Sequence, residues 1–341
     1  MNHMIHSGAR PVTPSNTTMT ISKAAALIKL GLPLSLAGTE AALDQLPAGN
    51  WIAGTIPYFM LTEGGVIVND ERVFVNQLAP AGQVRFGCYR ANELESVTRN
   101  TPDNGYAIAI IPAGSRCHQA FAENAADLPE AFLKPTAGWI AGVHLSDLGN
   151  ATAKVYFGPD ASKHADRIVV AHVAVPAGRT ISVETVNIFE PGDGDVLCFD
   201  RIGFEVGECT VNGTPENLAD YLTRMGLDDG KLPLVGDYAG AHVNVSIQSV
   251  DVPDRRTTLY APVFPGIDYR IARPVGDYAA EFQRRLGAQD QQGATFACNC
   301  ILNFVFGELE GKAIGGVAGP VTFGEIAYQL LNQTAVLVRV T

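Results

Sequence analysis

From Asp166 to Val211 the chain alternates apolar and polar residues in one short run after another: DRIVVAHVAV, RTISVETVNIF, DVLCF and IGFEVGEC. A period of two marks strands with one buried face, and EPGDGD reads as a turn among them. The pattern predicts a meander of antiparallel character. Upstream, GGVIVNDERVFVNQL reads as a hairpin around Asn69-Asp70, while AHVNVSIQSV at 241–250 and QTAVLVRV at 333–340 are further strands. His172 alternates with Ile168, Val170 and Ala174, where a hydrogen-bonded core or edge histidine is the default.

Helical spacing takes over elsewhere. TPENLADYLTRMG at 214–226 has Thr214 as N-cap, Pro215 in the first turn and Gly226 as terminator, with Leu218, Tyr221, Leu222 and Met225 on one face. VGDYAAEFQRRLG at 275–287 puts Val275, Tyr278, Ala279, Phe282 and Leu286 on a stripe and pairs Glu281 with Arg285 at i,i+4. ISKAAALIKLGLPLSLAG at 21–38 suits the first helix; Lys23 and Lys29 inside it argue against a signal-peptide core. Mixed helices and strands predict an α+β fold.

One short stretch recurs. NWIAGT at 50–55 returns as GWIAGV at 138–143, with looser echoes in LVGD at 234–237 and AIGGV at 313–317. The glycines Gly54, Gly142, Gly236 and Gly316 stand 88, 94 and 80 residues apart. Near-even spacing suggests a helix, strand and Gly turn used four times and paired into two halves, an internal duplication. Chance is the competing reading, since strand ends commonly carry Ala-Gly. The seam expected on this basis is Asn212-Gly213, which divides a tail at 1–18, rich in Pro, Ser and Thr, from halves at 19–212 and 213–341.

Composition narrows the function classes. The 341 residues carry 24 basic and 35 acidic side chains, a net charge of −11, with no Lys/Arg-rich block. Nucleic acid and anionic membrane surfaces are therefore disfavoured as partners, which leaves a small molecule or another protein. The apolar fraction leaves room for subunit contacts in a homo-oligomer. Six cysteines, Cys88, Cys117, Cys198, Cys209, Cys298 and Cys300, are scattered through a core-rich chain. That usage points to reduced thiols and a cytoplasmic location.

The candidate chemistry lies near the carboxyl end, in TFACNCILNF at 295–304. The C-x-C spacing puts Cys298 and Cys300 on one face of an extended strand. NCILNFVF can turn into a helix beside Cys298, which would help a nucleophilic thiol, yet burial at a strand end accounts for both cysteines too. No second local Cys/His pair completes a zinc site, so no metal is expected. GELEGK at 307–312 lacks phosphate-loop spacing, and no cofactor signature occurs. Glu325, between apolar runs, is either a partly buried hydrogen-bonding group or a turn residue, and Asn332 precedes the final strand.

The stretch FACNCILNF, with AIGGVAGPVTFGEIAYQLLNQTAVLV after it, resembles the C-terminal part of the FIST domain, a sensory domain of bacterial and archaeal signal-transduction proteins. Cys298, Gly324-Glu325 and Asn332-Gln333-Thr334 occupy that family's strand-end Cys, Gly-Glu pair and Asn-x-Thr. LPAGNWIAGT is compatible with its other part. The family's Arg shortly after the Cys is missing, since Asn299, Cys300 and Ile301 follow; Arg270 and Arg273 are candidates to replace it. The resemblance implies small-ligand binding, with amino acids among the ligands, and a chain of this length must signal through a partner in trans or through oligomerisation.

Two readings follow. The first is a stand-alone sensory protein that binds a small molecule, such as an amino acid or small carboxylate, through Cys298, Asn299, Glu325 and Asn332, with Tyr269 and Arg270 nearby. The second is a hydrolase or transferase with Cys298 as nucleophile and Glu325 or His242 in acid–base work. The resemblance favours the first.

Overall fold

The computed structural model describes residues 16–78, 83–287, 294–314 and 317–341. The fold is α+β, built from five sheets that are mixed or antiparallel and flanked by helices. Three of the six-stranded sheets repeat one plan. In the first, the order is Thr17–Thr20, Arg72–Gln77, Leu34–Gly38, Trp51–Thr55, Val155–Phe157, Ser162–His164. In the second it is Gln83–Tyr89, Ile168–Ala174, Gly105–Pro112, Thr136–Ala141, Glu325–Ala327, Gln329–Leu331. In the third it is Ile181–Asn187, Thr334–Val340, Phe296–Cys300, Gly319–Thr322, Tyr58–Leu61, Gly64–Ile67.

Each plan holds one parallel pair whose strands are joined through a helix: Glu40–Leu43, Arg116–Asn124 or Ile301–Phe306. Each sheet ends in a hairpin borrowed from another repeat. The hairpin at 58–67 completes the third sheet, that at 155–164 the first, and that at 325–331 the second. The recurring WIAG stretches fall on the second parallel strand of the first two repeats. The strand at 234–238 belongs elsewhere, and Gly316 lies outside the described residues. The repetition is therefore threefold, with residues 188–277 inserted into the third repeat.

That insertion carries the two remaining sheets and helix Leu218–Met225. Its strands pack on the outer face of the second sheet. Strand Gly105–Pro112 shows the sharing: Tyr106, Ile108 and Ile110 face the core common to the three repeats, while Ala107, Ala109 and Ile111 face the insertion's Leu197, Leu234 and Leu259. A strand covered on both faces must be apolar throughout, which is what GYAIAIIP is. A third cluster, around Trp51, Leu36 and Val75, sits under helix Ile21–Lys29.

Several expectations change. The helix at 21–38 stops at Lys29, because Gly31 takes φ +74 and Pro33 follows; Leu34–Gly38 is a buried strand. Thr214–Asn217 is a strand, so the next helix starts at Leu218 with Asn217, not Thr214, as its cap; the Asn217 Oδ1 accepts from Ala219 N at 3.1 Å. The segments flanking Asn69-Asp70 join different sheets and do not form a hairpin. The meander is absent too: Ile168–Ala174 pairs with Gly105–Pro112, and Ile181–Asn187 with Thr334–Val340. Thr17 and Thr18 of the expected tail begin the first strand, while residues 1–15 lie outside the described residues. Asn212-Gly213 is a hairpin turn with φ +50 and +80, and strands from both sides of it share sheets. The helix Tyr278–Gly287 does form, with Phe282 and Leu286 buried and Arg285 Nε 2.9 Å from Glu281 Oε1. Among the described residues no helix is long and apolar enough to cross a membrane.

The parallel pairs depend on close backbone approach. A Cβ on Gly138, at φ +152, would sit 1.9 Å from the Ala109 carbonyl oxygen. Gly138→Ala should therefore cost about 3 kcal/mol or more, read as a fall in the urea midpoint. Gly149→Ala, also at positive φ but in open space, should cost only about 1 kcal/mol. Equal costs would refute the pairing of Ala109 with Gly138.

Candidate functional site

The third repeat differs from the others in what its strands carry at their carboxyl ends. Where the second repeat has Ile110, Ile111 and Pro112 before its helix, the third has Cys298, Asn299 and Cys300. Cys300 is the N-cap of helix Ile301–Phe306, which places Asn303 one turn on, above Asn299. The Asn303 amide donates to Asn299 Oδ1 at 3.1 Å and to the Thr334 carbonyl at 3.2 Å.

Glu325 is fully buried among these groups. It opens the hairpin given to the second sheet, pairing there with Trp139, yet its carboxyl faces the third sheet. Thr322 Oγ1 lies 3.0 Å from its Oε1, and Thr334 reaches its Oε2 with Oγ1 at 2.9 Å and the backbone N–H at 3.3 Å. Burial pushes the carboxyl up to about 8, against the pull of the Thr334 and Thr322 hydroxyls. Geometry agrees. The Thr322 hydroxyl has one proton and three oxygens around it: the Asn299 carbonyl at 3.2 Å, the Gly324 carbonyl at 3.0 Å and Glu325 Oε1. A protonated Glu325 resolves this by donating to Thr322, which then donates to one of the two carbonyls.

The thiols are poor nucleophiles. Cys298 Sγ donates to the Gly138 carbonyl at 3.3 Å. Burial, and then the Glu325 charge, hold both Cys298 and Cys300 well above the ordinary thiol range. Burial first, and the Cys300 sulfur after it, raise the phenol of the inserted Tyr260.

The insertion is clamped onto the site by Gln333, a buried residue at φ +48. Its Oε1 accepts from Ser246 Oγ at 2.7 Å and its Nε2 donates to the Lys231 carbonyl at 3.2 Å. Asn244 donates to the Asn332 carbonyl at 3.2 Å and exchanges amide hydrogen bonds with Asn187 at 2.9 Å. A left-handed Gln persists only where such neighbours over-determine it.

Four atoms in this region are buried without any hydrogen-bond partner among the described residues: Asn299 Nδ2, Asn303 Oδ1, and both Oδ1 and Nδ2 of Asn332. Each orphan costs about 1–3 kcal/mol, so their clustering is a liability unless something polar is taken up there.

Of the expected site residues, Cys298, Asn299, Glu325 and Asn332 come together in the third repeat. Tyr269 and Arg270 do not join them. Tyr269 is core in the inserted sheet, accepting from Phe264 N at 2.9 Å and 3.2 Å from the Tyr238 hydroxyl, and Arg270 is half-buried and donates to the Gly194 carbonyl. Arg273 is paired outside with Asp193 at 2.8 Å, and His242 is exposed. Neither arginine stands in for the missing guanidinium. Gln333 and Thr334 entered only as part of the Asn-x-Thr stretch, and Asn303, Thr322 and Asn244 were missed; their signal was a polar residue inside an apolar run, as in ILNFVF and PVTF. Among the described residues no three His, Cys, Asp or Glu side chains converge to hold a metal ion.

A carboxyl raised by folding keeps its proton in the folded chain while the unfolded chain releases it above about 4.5. Its contribution to stability is complete below that value and is lost as pH rises through about 8. His118 and His172, which burial pushes down to about 4, act in the opposite sense, and only below their ordinary 6.5. Between 6.5 and 8 Glu325 should therefore dominate, with stability falling by up to about 1.4 kcal/mol per pH unit. Glu325→Gln should flatten that slope in urea unfolding; equal slopes would mean an ionised Glu325. No curated protein and no solved structure matches the chain. Residues 19–341, and with them every residue of the site, match DUF6976, a family of unknown function, and the chain belongs to that family.

Proposed function

We propose that this protein binds a small polar molecule at the carboxyl edge of the third repeat and serves as a sensory, signal-transducing module. The observation that carries the reading is the set of orphaned amide atoms on Asn299, Asn303 and Asn332 in the same region as a neutral, buried Glu325. Amides and a protonated carboxyl recognise by hydrogen bonds rather than by charge. The described site holds no Lys or Arg, so a carboxylate ligand would have no cation to meet. An amine or amide suits the site better: an amine can take the Glu325 proton or pair with its carboxylate, and an amide complements the asparagines. This moves the expected ligand from a small carboxylate towards the amino end of an amino acid or towards an amide.

The resemblance to the C-terminal part of the FIST domain supports the same place, since Cys298, Glu325 and Asn332 are the residues that carry it. Gln333 supplies the route outward: it borders the site and holds the insertion, so a ligand that favours one setting of this clamp shifts the insertion's equilibrium. A partner in trans or a second copy of the chain would read that shift. Cysteine-dependent hydrolysis is the weaker reading, because burial holds both thiols well above the ordinary thiol range.

Two measurements test this. Asn332→Leu removes both orphaned amide atoms at similar volume, so it should stabilise the free protein by about 1–3 kcal/mol and abolish binding. The binding readout is a thermal-shift panel of amines, amides, amino acids and carboxylates, in which a ligand at 100 times its Kd adds about 2.7 kcal/mol. A destabilised variant, or one that keeps every hit, would sink the proposal. Iodoacetamide should label the half-buried Cys88 and Cys198 before Cys298 or Cys300 in the folded protein. Preferential labelling of Cys298 would revive the enzyme.

A further inference from the structure

The second repeat holds a different cleft at the matching edge. It is about 710 Å3 in volume and lies where strand Gln83–Tyr89 ends, helix Arg116–Asn124 begins and the chain runs from Ser162–His164 into Ile168–Ala174. In the third repeat these three positions are the end of Ile181–Asn187, the start of Ile301–Phe306 and residues 332–333, where the amide site sits. The lining is of another kind: Arg90, Arg116, Lys163, His164, Asp166 and Arg167.

Four fixed cations against one acid is unusual in a chain of net charge −11. Two of the four are already matched. Lys163 Nζ bonds Glu40 at 2.7 Å and Asp44 at 2.8 Å, and Arg116 Nε bonds Asp166 at 3.0 Å. His164 is held below its ordinary value by burial, then by Arg167, and so is neutral near pH 7. Glu93 accepts from the Arg90 backbone N–H at 2.8 Å and Asp160 from Ser162, and neither forms an ion pair with Arg90 or Arg167 among the described residues. The helix start is also spoken for, since Cys117 N donates to Asp166 and His118 N to Ser115. What remains is Arg90 and Arg167, two guanidiniums without an acidic partner among the described residues.

We propose that this cleft is a second ligand site, distinct from the amide site, and that it takes the phosphate group of a phosphorylated small molecule. Two uncompensated guanidinium forks match a phosphate monoester, which carries about −1.5 to −2 at neutral pH and presents three acceptor oxygens. A single carboxylate would leave one guanidinium unmatched. The volume falls in the ligand range of roughly 300–1,000 Å3, leaving space for the rest of the molecule beside the phosphate.

The test is calorimetric titration of the full chain with inorganic phosphate at low salt. Binding is expected, with a loss of at least about tenfold in Arg90→Ala/Arg167→Ala. A smaller loss is expected in Arg90→Lys/Arg167→Lys, which keeps the charge without the fork and serves as the readout if the alanine variant does not fold. Asn332→Leu should leave phosphate binding untouched, so failure of the amide site and failure of this one are separable. Acetate should bind at least about tenfold more weakly than phosphate. No binding at millimolar phosphate, unchanged affinity in both double variants, or acetate binding as tightly as phosphate would overturn the proposal.

Discussion

The structure rests on the exchange of hairpins among its three repeats. A parallel pair such as Leu34–Gly38 with Trp51–Thr55 ends in a strand whose outer edge has unpaired N–H and C=O groups. In each repeat that edge is covered by a hairpin encoded in another repeat: Val155–Phe157 against Trp51–Thr55, Glu325–Ala327 against Thr136–Ala141, Tyr58–Leu61 against Gly319–Thr322. The cycle closes, so no repeat has a complete sheet of its own. The core common to the three sheets, with Ile52, Ile108 and Val336 among its members, is the hydrophobic counterpart of that exchange.

The exchange also creates the site. Glu325 is tied by its backbone to the second sheet and by its carboxyl to Thr322 and Thr334 of the third. The hairpin must cross from one sheet to the other there, and the turn through Thr322, Phe323 and Gly324 brings polar groups inward. In the first repeat the matching segment opens with Tyr58, and in the second with Val155, and both are packed as core. At the first sheet's crossing the Thr55 hydroxyl bonds only backbone groups, donating to the Gly142 carbonyl at 2.8 Å and accepting from Lys154 N at 2.9 Å, whereas the third repeat sets a buried carboxyl there, and there the insertion joins the repeat.

Legibility in the sequence followed the range of the interactions. Helix Tyr278–Gly287, with its apolar stripe and its Glu281–Arg285 pair, is governed by neighbours within a few residues and was readable. The α+β class was readable for the same reason. Strand partners were not: Glu325 pairs with Trp139, and Ile181–Asn187 pairs with the last strand, across distances that no local pattern encodes. The helix at 214–226 misled because Thr214-Pro215 suits a helix start, but pairing with Glu208–Val211 holds Thr214–Asn217 extended and moves the cap to Asn217. At the site, Cys298, Asn299, Glu325 and Asn332 stood out as polar or small residues set in apolar strands. Arg270 was expected there as a replacement for the missing arginine, with Tyr269 beside it, and the inserted sheet turns both elsewhere.

The three repeats share a backbone plan but not an electrostatic one, and the difference is concentrated at one edge. Where the chain passes from hairpin to last strand, the first repeat has Asn69, Asp70 and Glu71, the second has Asp166 and Arg167, and the third has Asn332 and Gln333. A repeated scaffold needs its shared core to stay fixed, because each sheet closes with another repeat's hairpin and a change in one is felt in its neighbour. The strand-end loops carry no such constraint. They are where a repeated fold can vary its chemistry without disturbing its closure, and here that variation has put buried amides in one repeat and unmatched guanidiniums in another.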